Sequence, residues 1–261
     1  MAVEKALLHV EGIDAYYGRS QALFGVSFEV GRREVVAIVG RNGAGKTTTL
    51  RAIMGLNRVR SGAISFDSSR IDRLKSHQIA RSGISYVPET RDPFSLLTVE
   101  ENIMLGHRRG SPYGLSRIIE WFPDLAGLLK RRGAELSGGQ QQMMVIGRGL
   151  APGPRLLLLD EPSQGLAPVI VKKVGETLAA LRQEDLSVVL VEQNIGFALS
   201  LADRIVVMEN GTVVDHLSAT ESRSHPERIE RYLGIHKPKR LKREVKRNPP
   251  RACAHGHTRR T

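Results

Sequence analysis

Val35-Val36-Ala37-Ile38-Val39-Gly40-Arg41-Asn42-Gly43-Ala44-Gly45-Lys46-Thr47-Thr48 is the stretch on which the fold turns. Its first five residues are apolar and rich in β-branched side chains, which suits a short strand buried on both faces. Residues 40–47 then fit G-x-x-x-x-G-K-[ST], and Thr47 to Met54 reads as a helix. Strand, Gly-rich loop and helix come in the order that a phosphate-binding loop requires. The glycines let the backbone curl so that its N–H groups face phosphate oxygens, and the helix presents its positive end to the same anion. Lys46 adds a point charge for the β- and γ-phosphates, and the Thr47 hydroxyl is a ligand for Mg²⁺. The stretch Gly40 to Thr48 is therefore the expected ATP-binding loop, with Lys46 also expected to act in catalysis.

Further along, Leu156-Leu157-Leu158-Leu159 is a second buried-strand run, and it ends in Asp160-Glu161. An acid at such a strand end holds Mg²⁺ through water. The next one faces the γ-phosphate and polarises the attacking water. Asp160 is thus the expected metal residue and Glu161 the expected catalytic base.

Outward from these two runs the chain keeps alternating. Leu7 to Val10 and Val26 to Val30, separated by a turn near Tyr17-Gly18, read as antiparallel strands. Ala63 to Phe66, Ile84 to Val87 and Ser187 to Val191 read as further strands. The span from Thr98 to Leu150 is mostly helical, and Val169 to Arg182 and Ile195 to Ala202 are helices. Asn210-Gly211 marks a hairpin between Arg204–Met208 and Thr212–Val214. Strands alternating with helices predict an α/β fold with a mainly parallel sheet.

Composition narrows the class. Of 261 residues 41% are hydrophobic and 25% charged, as in ordinary globular proteins. The net charge of +12 is unevenly spread: residues 236–261 hold ten Lys and Arg against one acid, a net +9, so the body carries about +3. That argues against a nucleic-acid partner and points to a basic, disordered tail. The one cysteine, Cys253, permits no internal disulfide. No signal peptide is read at the N-terminus, and no apolar run approaches the ~18 residues of a spanning helix.

Leu136-Ser137-Gly138-Gly139-Gln140, twenty residues before Asp160, narrows the reading further. With this LSGGQ string the sequence resembles the ATP-binding-cassette (ABC) ATPases over residues 4 to about 235. The resemblance implies a P-loop ATPase fold. An antiparallel β subdomain would lie at the N-terminus, a helical subdomain at about 90–150 would be inserted in a domain spanning 1–235, and the tail would occupy 236–261. It implies that residues 136–140 cradle the ATP of a second cassette, so that two ATPs are sandwiched between two subunits. Tyr17 matches the aromatic that stacks on adenine. Glu89 stands where most members have glutamine, as a further Mg²⁺ residue, and Gln193 stands at the switch-histidine position as a catalytic residue. Ser163-Gln164-Gly165-Leu166 falls on the loop that reaches across the dimer, without that loop's usual aspartate.

The strings VPE, TVEEN, DEPSQGLAP and LVEQN look like the branched-chain amino acid importer branch, in which Glu and Gln at these two positions are usual. RRGAELSGGQQQ also resembles urea and short-amide importer subunits, the alternative, with an exporter ATPase a more distant one. The resemblance thus implies an ATP hydrolase that uses ATP and Mg²⁺ and works with a second ATP-binding subunit, as a heterodimer or a homodimer. Its further partners would be transmembrane permease subunits and, indirectly, a solute-binding protein. It would be cytoplasmic and peripheral on the inner face of the cell membrane.

Overall fold

The computed structural model describes residues 6–233. The basic tail expected over 236–261 lies outside the described residues. In chain order the elements are β1 (Leu8–Tyr17), β2 (Ser20–Val30), β3 (Val35–Val39), α1 (Lys46–Ile53), β4 (Arg58–Phe66), β5 (Ser69–Arg70), α2 (Ser76–Arg81) and β6 (Ile84–Val87). Then come α3 (Val99–Met104), α4 (Leu115–Trp121), α5 (Gly138–Leu150), β7 (Leu156–Asp160), α6 (Pro168–Ala180), β8 (Ser187–Glu192) and α7 (Ile195–Leu201). The series closes with β9 (Arg204–Glu209), β10 (Thr212–Ser218), α8 (Ala219–Ser224) and α9 (Pro226–Leu233).

Two sheets form. The larger has the order β10-β9-β3-β8-β7-β6, parallel throughout except for the antiparallel edge strand β10. The smaller, β2-β1-β4-β5, is antiparallel. The fold is α/β with a mainly parallel core sheet and an antiparallel N-terminal sheet, as the sequence predicts.

The period-2 geometry of the central strands divides the interior. Val35, Ala37, Val39, Leu157, Leu159, Val188 and Leu190 face one core, which they share with α3 to α7. Val36, Ile38, Leu156, Leu158, Val189 and Val191 face a second core, which they share with α1 and the antiparallel sheet. With both faces covered, these strands read as unbroken apolar runs, and all the residues of β3, β7 and β8 are buried.

The structure differs from the sequence reading in extent rather than type. β1 and β2 run on to Tyr17 and from Ser20, because register shifts between Val10 and Tyr16 let a partly polar stretch keep pairing. β4 starts at Arg58, earlier than the apolar run suggests, since its exposed first half is held by pairing with β1. The span 98–150 holds three separate helices, with two 3₁₀ turns, Pro123–Leu128 and Gly133–Glu135, between the second and the third. Thr98 starts the first with a capping box: its hydroxyl accepts from Glu101 N–H at 3.2 Å while Glu101 accepts from Thr98 N–H at 2.8 Å.

Candidate active site

The parallel strands end at one edge, and their next residues form the site. Gly40 comes after β3, Glu161 after β7 and Gln193 after β8, and Glu89 lies two residues beyond β6. Because β3 pairs with β8 and β8 with β7, the loops after them are neighbours. A cleft of about 750 Å³ opens there, lined among others by Tyr17, Asn42 to Thr48, Glu89, Glu161 and Gln164.

The phosphate loop is shaped by backbone constraints. Gly45 sits at φ +101°, and a Cβ there would lie 2.8 Å from Leu23. A side chain at that position meets both backbone strain and a clash. The first turn of α1 has no acidic residue, so its N–H groups and dipole keep a positive field over the loop.

Lys46 is 4% exposed and Glu161 6%; Nζ lies 3.2 Å from Glu161 Oε1. Lys46 also donates to the carbonyls of Gly40 at 2.9 Å and Arg41 at 3.2 Å. Glu161 itself is at φ +46°, a left-handed conformation uncommon outside glycine. That turn, held by Glu161 N–H donating to Val191 O at 2.9 Å, folds the carboxylate back over the loop.

Gln193 completes this cluster. Its Nε2 donates to Glu161 Oε2 at 2.8 Å and Oε1 at 3.0 Å, and to Asn42 Oδ1. One amide thus uses both hydrogens, one on the carboxylate and one on the phosphate loop.

Thr47 Oγ1 donates to Asp160 Oδ1 at 3.0 Å, and Tyr86 OH donates to Asp160 Oδ2 at 2.9 Å. Burial raises the Asp160 carboxyl above its usual range, the two hydrogen bonds oppose it, and the charges of Glu89 and Glu161 add to the rise. Burial, then the charge of Asp160, pushes the Tyr86 phenol well up, so it stays a donor. Among the described residues no three His, Cys, Asp or Glu cluster as a metal cage. Thr47, Asp160 and Glu89 are hard oxygen donors beside a phosphate loop, which fits Mg²⁺ sharing its shell with phosphate.

Tyr17 is 48% exposed at the tip of β1, on the cleft wall, with its OH 3.4 Å from Thr48 Oγ1. It is a surface aromatic, not a core residue. Phe24, Gln21 and the Asn210-Gly211 turn line the same wall. The sequence does not mark them, because an aromatic on an alternating strand carries no local sign of facing a ligand. Gly211 N–H donates to Ala44 O at 3.0 Å, and its carbonyl accepts from Phe24 N–H at 2.9 Å. The predicted hairpin turn therefore braces the phosphate loop.

The 136–140 segment stands apart from this cleft and does not line it. Leu136 is buried, whereas Ser137 and Gly138 are exposed. Ser137 N-caps α5, its Oγ accepting from Gln140 N–H at 3.4 Å and its N–H donating to Gln140 Oε1 at 2.9 Å. The glycines also have packing reasons. A Cβ at 138 would lie 2.9 Å from Arg91 Nη1, and one at 139 the same distance from Ile170. Glu192, to which the sequence reading gives no role of its own, is buried at the end of β8. It accepts from Ser163 N–H and Oγ–H, both at 2.9 Å, tying the loop after Glu161 to residue 193.

The ABC transporter family profile matches residues 23–164, more than half of the chain. The chain belongs to the ABC transporter family. As an ABC ATPase it binds and hydrolyses ATP. It is 42% identical to the high-affinity branched-chain amino acid transport ATP-binding protein BraG of Pseudomonas aeruginosa, over 87% of this chain and all of that one. It is 31% identical to the probable branched-chain amino acid transport ATP-binding protein LivF of Archaeoglobus fulgidus, over 88% and 99%. Among solved structures, a nucleotide-free ATP-binding cassette from an ABC transporter superposes with a TM-score of 0.77 at 27% identity, over 88% of this chain and 100% of that one. No helix among the described residues is long and apolar enough to cross a membrane.

Proposed function

We propose that this ABC ATPase energises an importer of branched-chain amino acids from the inner face of the cell membrane. In this reading it pairs with a second ATP-binding subunit beneath transmembrane permease subunits, which receive substrate from a solute-binding protein. The observation that carries the reading is the separation of two half-sites. The cleft over residues 40–48 holds the phosphate loop and its carboxylates, while the exposed 137–138 turn lies outside that cleft. A turn built to cradle phosphate but set away from its own nucleotide cleft suits a neighbour's ATP. The likeness to two branched-chain amino acid transport proteins supports the cargo class.

Within this reading Tyr17 stacks on the base. Gly40 to Thr48 hold the phosphates, with Lys46 as the cation among them. Glu161 orients and deprotonates the attacking water, and Gln193 holds that carboxylate in place. Thr47, Asp160 and Glu89 would hold Mg²⁺, which supplies charge neutralisation at the phosphates. Leu136 to Gln140 close over the partner subunit's nucleotide.

Glu161→Gln tests this directly. The variant is expected to bind ATP, lose turnover and accumulate as an ATP-dependent pair on size-exclusion chromatography, with the second subunit supplied if it does not self-pair. Full turnover would remove Glu161 from its role.

A further inference from the structure

Arg91 lies two residues beyond Glu89, outside every motif that the sequence displays. Its guanidinium joins two separate segments, α5 and the loop after Glu161. Nε donates to Gln142 Oε1 at 3.0 Å, and Nη2 donates to the Gln164 carbonyl at 2.6 Å. Nη1 lies where a Cβ on Gly138 would be 2.9 Å away. The groups it reaches are Gln142 in the body of α5, Gln164 in the loop that comes after Glu161, and the space beside Gly138, the first residue of α5. Gln164 begins no independent element: its N–H donates to Glu161 O at 3.1 Å, so Arg91 grips the turn that presents Glu161.

The surroundings are arranged around this contact. Arg91 and Asp92 are both left-handed, at φ +60° and +39°. Consecutive non-glycine residues in that region persist only where neighbours over-determine them. Arg148 does so here, donating to the carbonyls of Arg91 at 3.3 Å and Asp92 at 3.0 Å. Gln142 is a buried amide among apolar neighbours on α5, and Arg91 supplies a donor to its oxygen. A cation beside the amino end of a helix is electrostatically disfavoured, so the helix dipole of α5 does not account for the contact.

We propose that Arg91 is a positioning residue that fixes the 136–140 turn relative to the loop after Glu161, so that both reach their places across a pair of subunits together. The inference rests on the two-subunit reading above. Arginine's planar fork is what spans α5 and the loop after Glu161 at once, and lysine offers one point of contact.

The test uses the full-length chain carrying Arg91→Ala, Arg91→Lys or Gln142→Met, with Glu161→Gln run alongside. In each of the first three, kcat for ATP is expected to fall at least about tenfold, while KM and the affinity for a fluorescent ATP analogue stay within about twofold. Tm is expected to fall by no more than about 4 °C, the cost of one unsatisfied buried amide in a domain of this size. A parent-like kcat in Arg91→Ala overturns the proposal. So does a loss of kcat matched by an equal rise in KM or by a large fall in Tm, because those mark a fold contact. Failure of both Arg91→Ala and Gln142→Met to fold overturns it for the same reason. If Arg91→Ala alone fails, Gln142→Met carries the same expectation. Full turnover in Glu161→Gln would sink the hydrolysis reading itself; lost turnover there, with Arg91→Ala unchanged, sinks only the role of Arg91.

Discussion

Removing the negative charge of Glu161 should make the cleft bind nucleotide more tightly, not less. Lys46 Nζ is paired with Glu161 Oε1 at 3.2 Å, and both side chains are almost wholly buried. Phosphate entering the loop therefore competes with an internal carboxylate for the same ammonium group. In Glu161→Gln the charged contact becomes a neutral one. Charge-assisted hydrogen bonds contribute about 1.5–3 kcal/mol and neutral ones about 0.5–1.5, so phosphate no longer has to displace about 1–2 kcal/mol of interaction. That difference corresponds to roughly 5- to 30-fold tighter binding. Lys46 stays in place, because the carbonyls of Gly40 and Arg41 still accept from it. Gln193 keeps an acceptor in the new amide oxygen. The assay is equilibrium titration of parent and variant with a fluorescent, slowly hydrolysed ATP analogue. Equal or weaker affinity in the variant would refute the competition argument, whatever happens to turnover.

Gln193→His should add a step near pH ~6.5 to the pH profile of kcat, a step the parent lacks, since imidazole titrates there and an amide does not. Superimposable profiles would place residue 193 away from the reacting phosphate. Burial holds the Glu192 carboxyl above its usual range, against hydrogen bonds from Ser163 and Asn194. A raised folded-state pKa gives stability that is full below the ordinary value of 4.5 and is lost as pH rises through the raised one. The Tm of the parent relative to Glu192→Gln should therefore decline from pH 4.5 towards neutrality, and a flat difference would contradict the burial argument. Gly211→Ala would place a Cβ 2.3 Å from the Ala22 carbonyl at φ +79°. A loss of about 2–4 kcal/mol in urea unfolding is expected, with weakened ATP binding through Ala44, and a loss under about 0.5 would contradict the geometry.

Burial decides both what the sequence makes legible and what it hides. β3, β7 and β8 are covered on both faces, so they read as apolar runs that end abruptly at polar residues. Those strand ends, Gly40, Asp160-Glu161 and Gln193, are where the candidate site gathers. β1, β2 and β4 carry a solvated face and register shifts, so their lengths are not visible as patterns. Tyr17 is legible only through resemblance. Phe24, Tyr86, Arg91 and Glu192 are not legible, because each acts on a residue far away in sequence. Tyr86 reaches Asp160 across 74 positions, and Arg91 reaches Gln164 across 73.

The long-range contacts also explain how a neutral amide can stand at residue 193. A histidine offers one hydrogen from any one ring nitrogen, whereas Gln193 Nε2 offers two. Here both are used, on Glu161 and on Asn42 of the phosphate loop. Glu192, one residue earlier, takes hold of Ser163 in the loop after Glu161. Arg91 holds the same loop one residue further on, at Gln164. Glu161, in its left-handed turn, is thus held by residue 193 at its carboxylate and by residues 192 and 91 through the three residues next in the chain. A carboxylate held from several directions needs no titrating partner to fix its orientation. The amide at residue 193 supplies geometry without a titration of its own, which is why the pH step expected in Gln193→His is the sharpest reading of this arrangement.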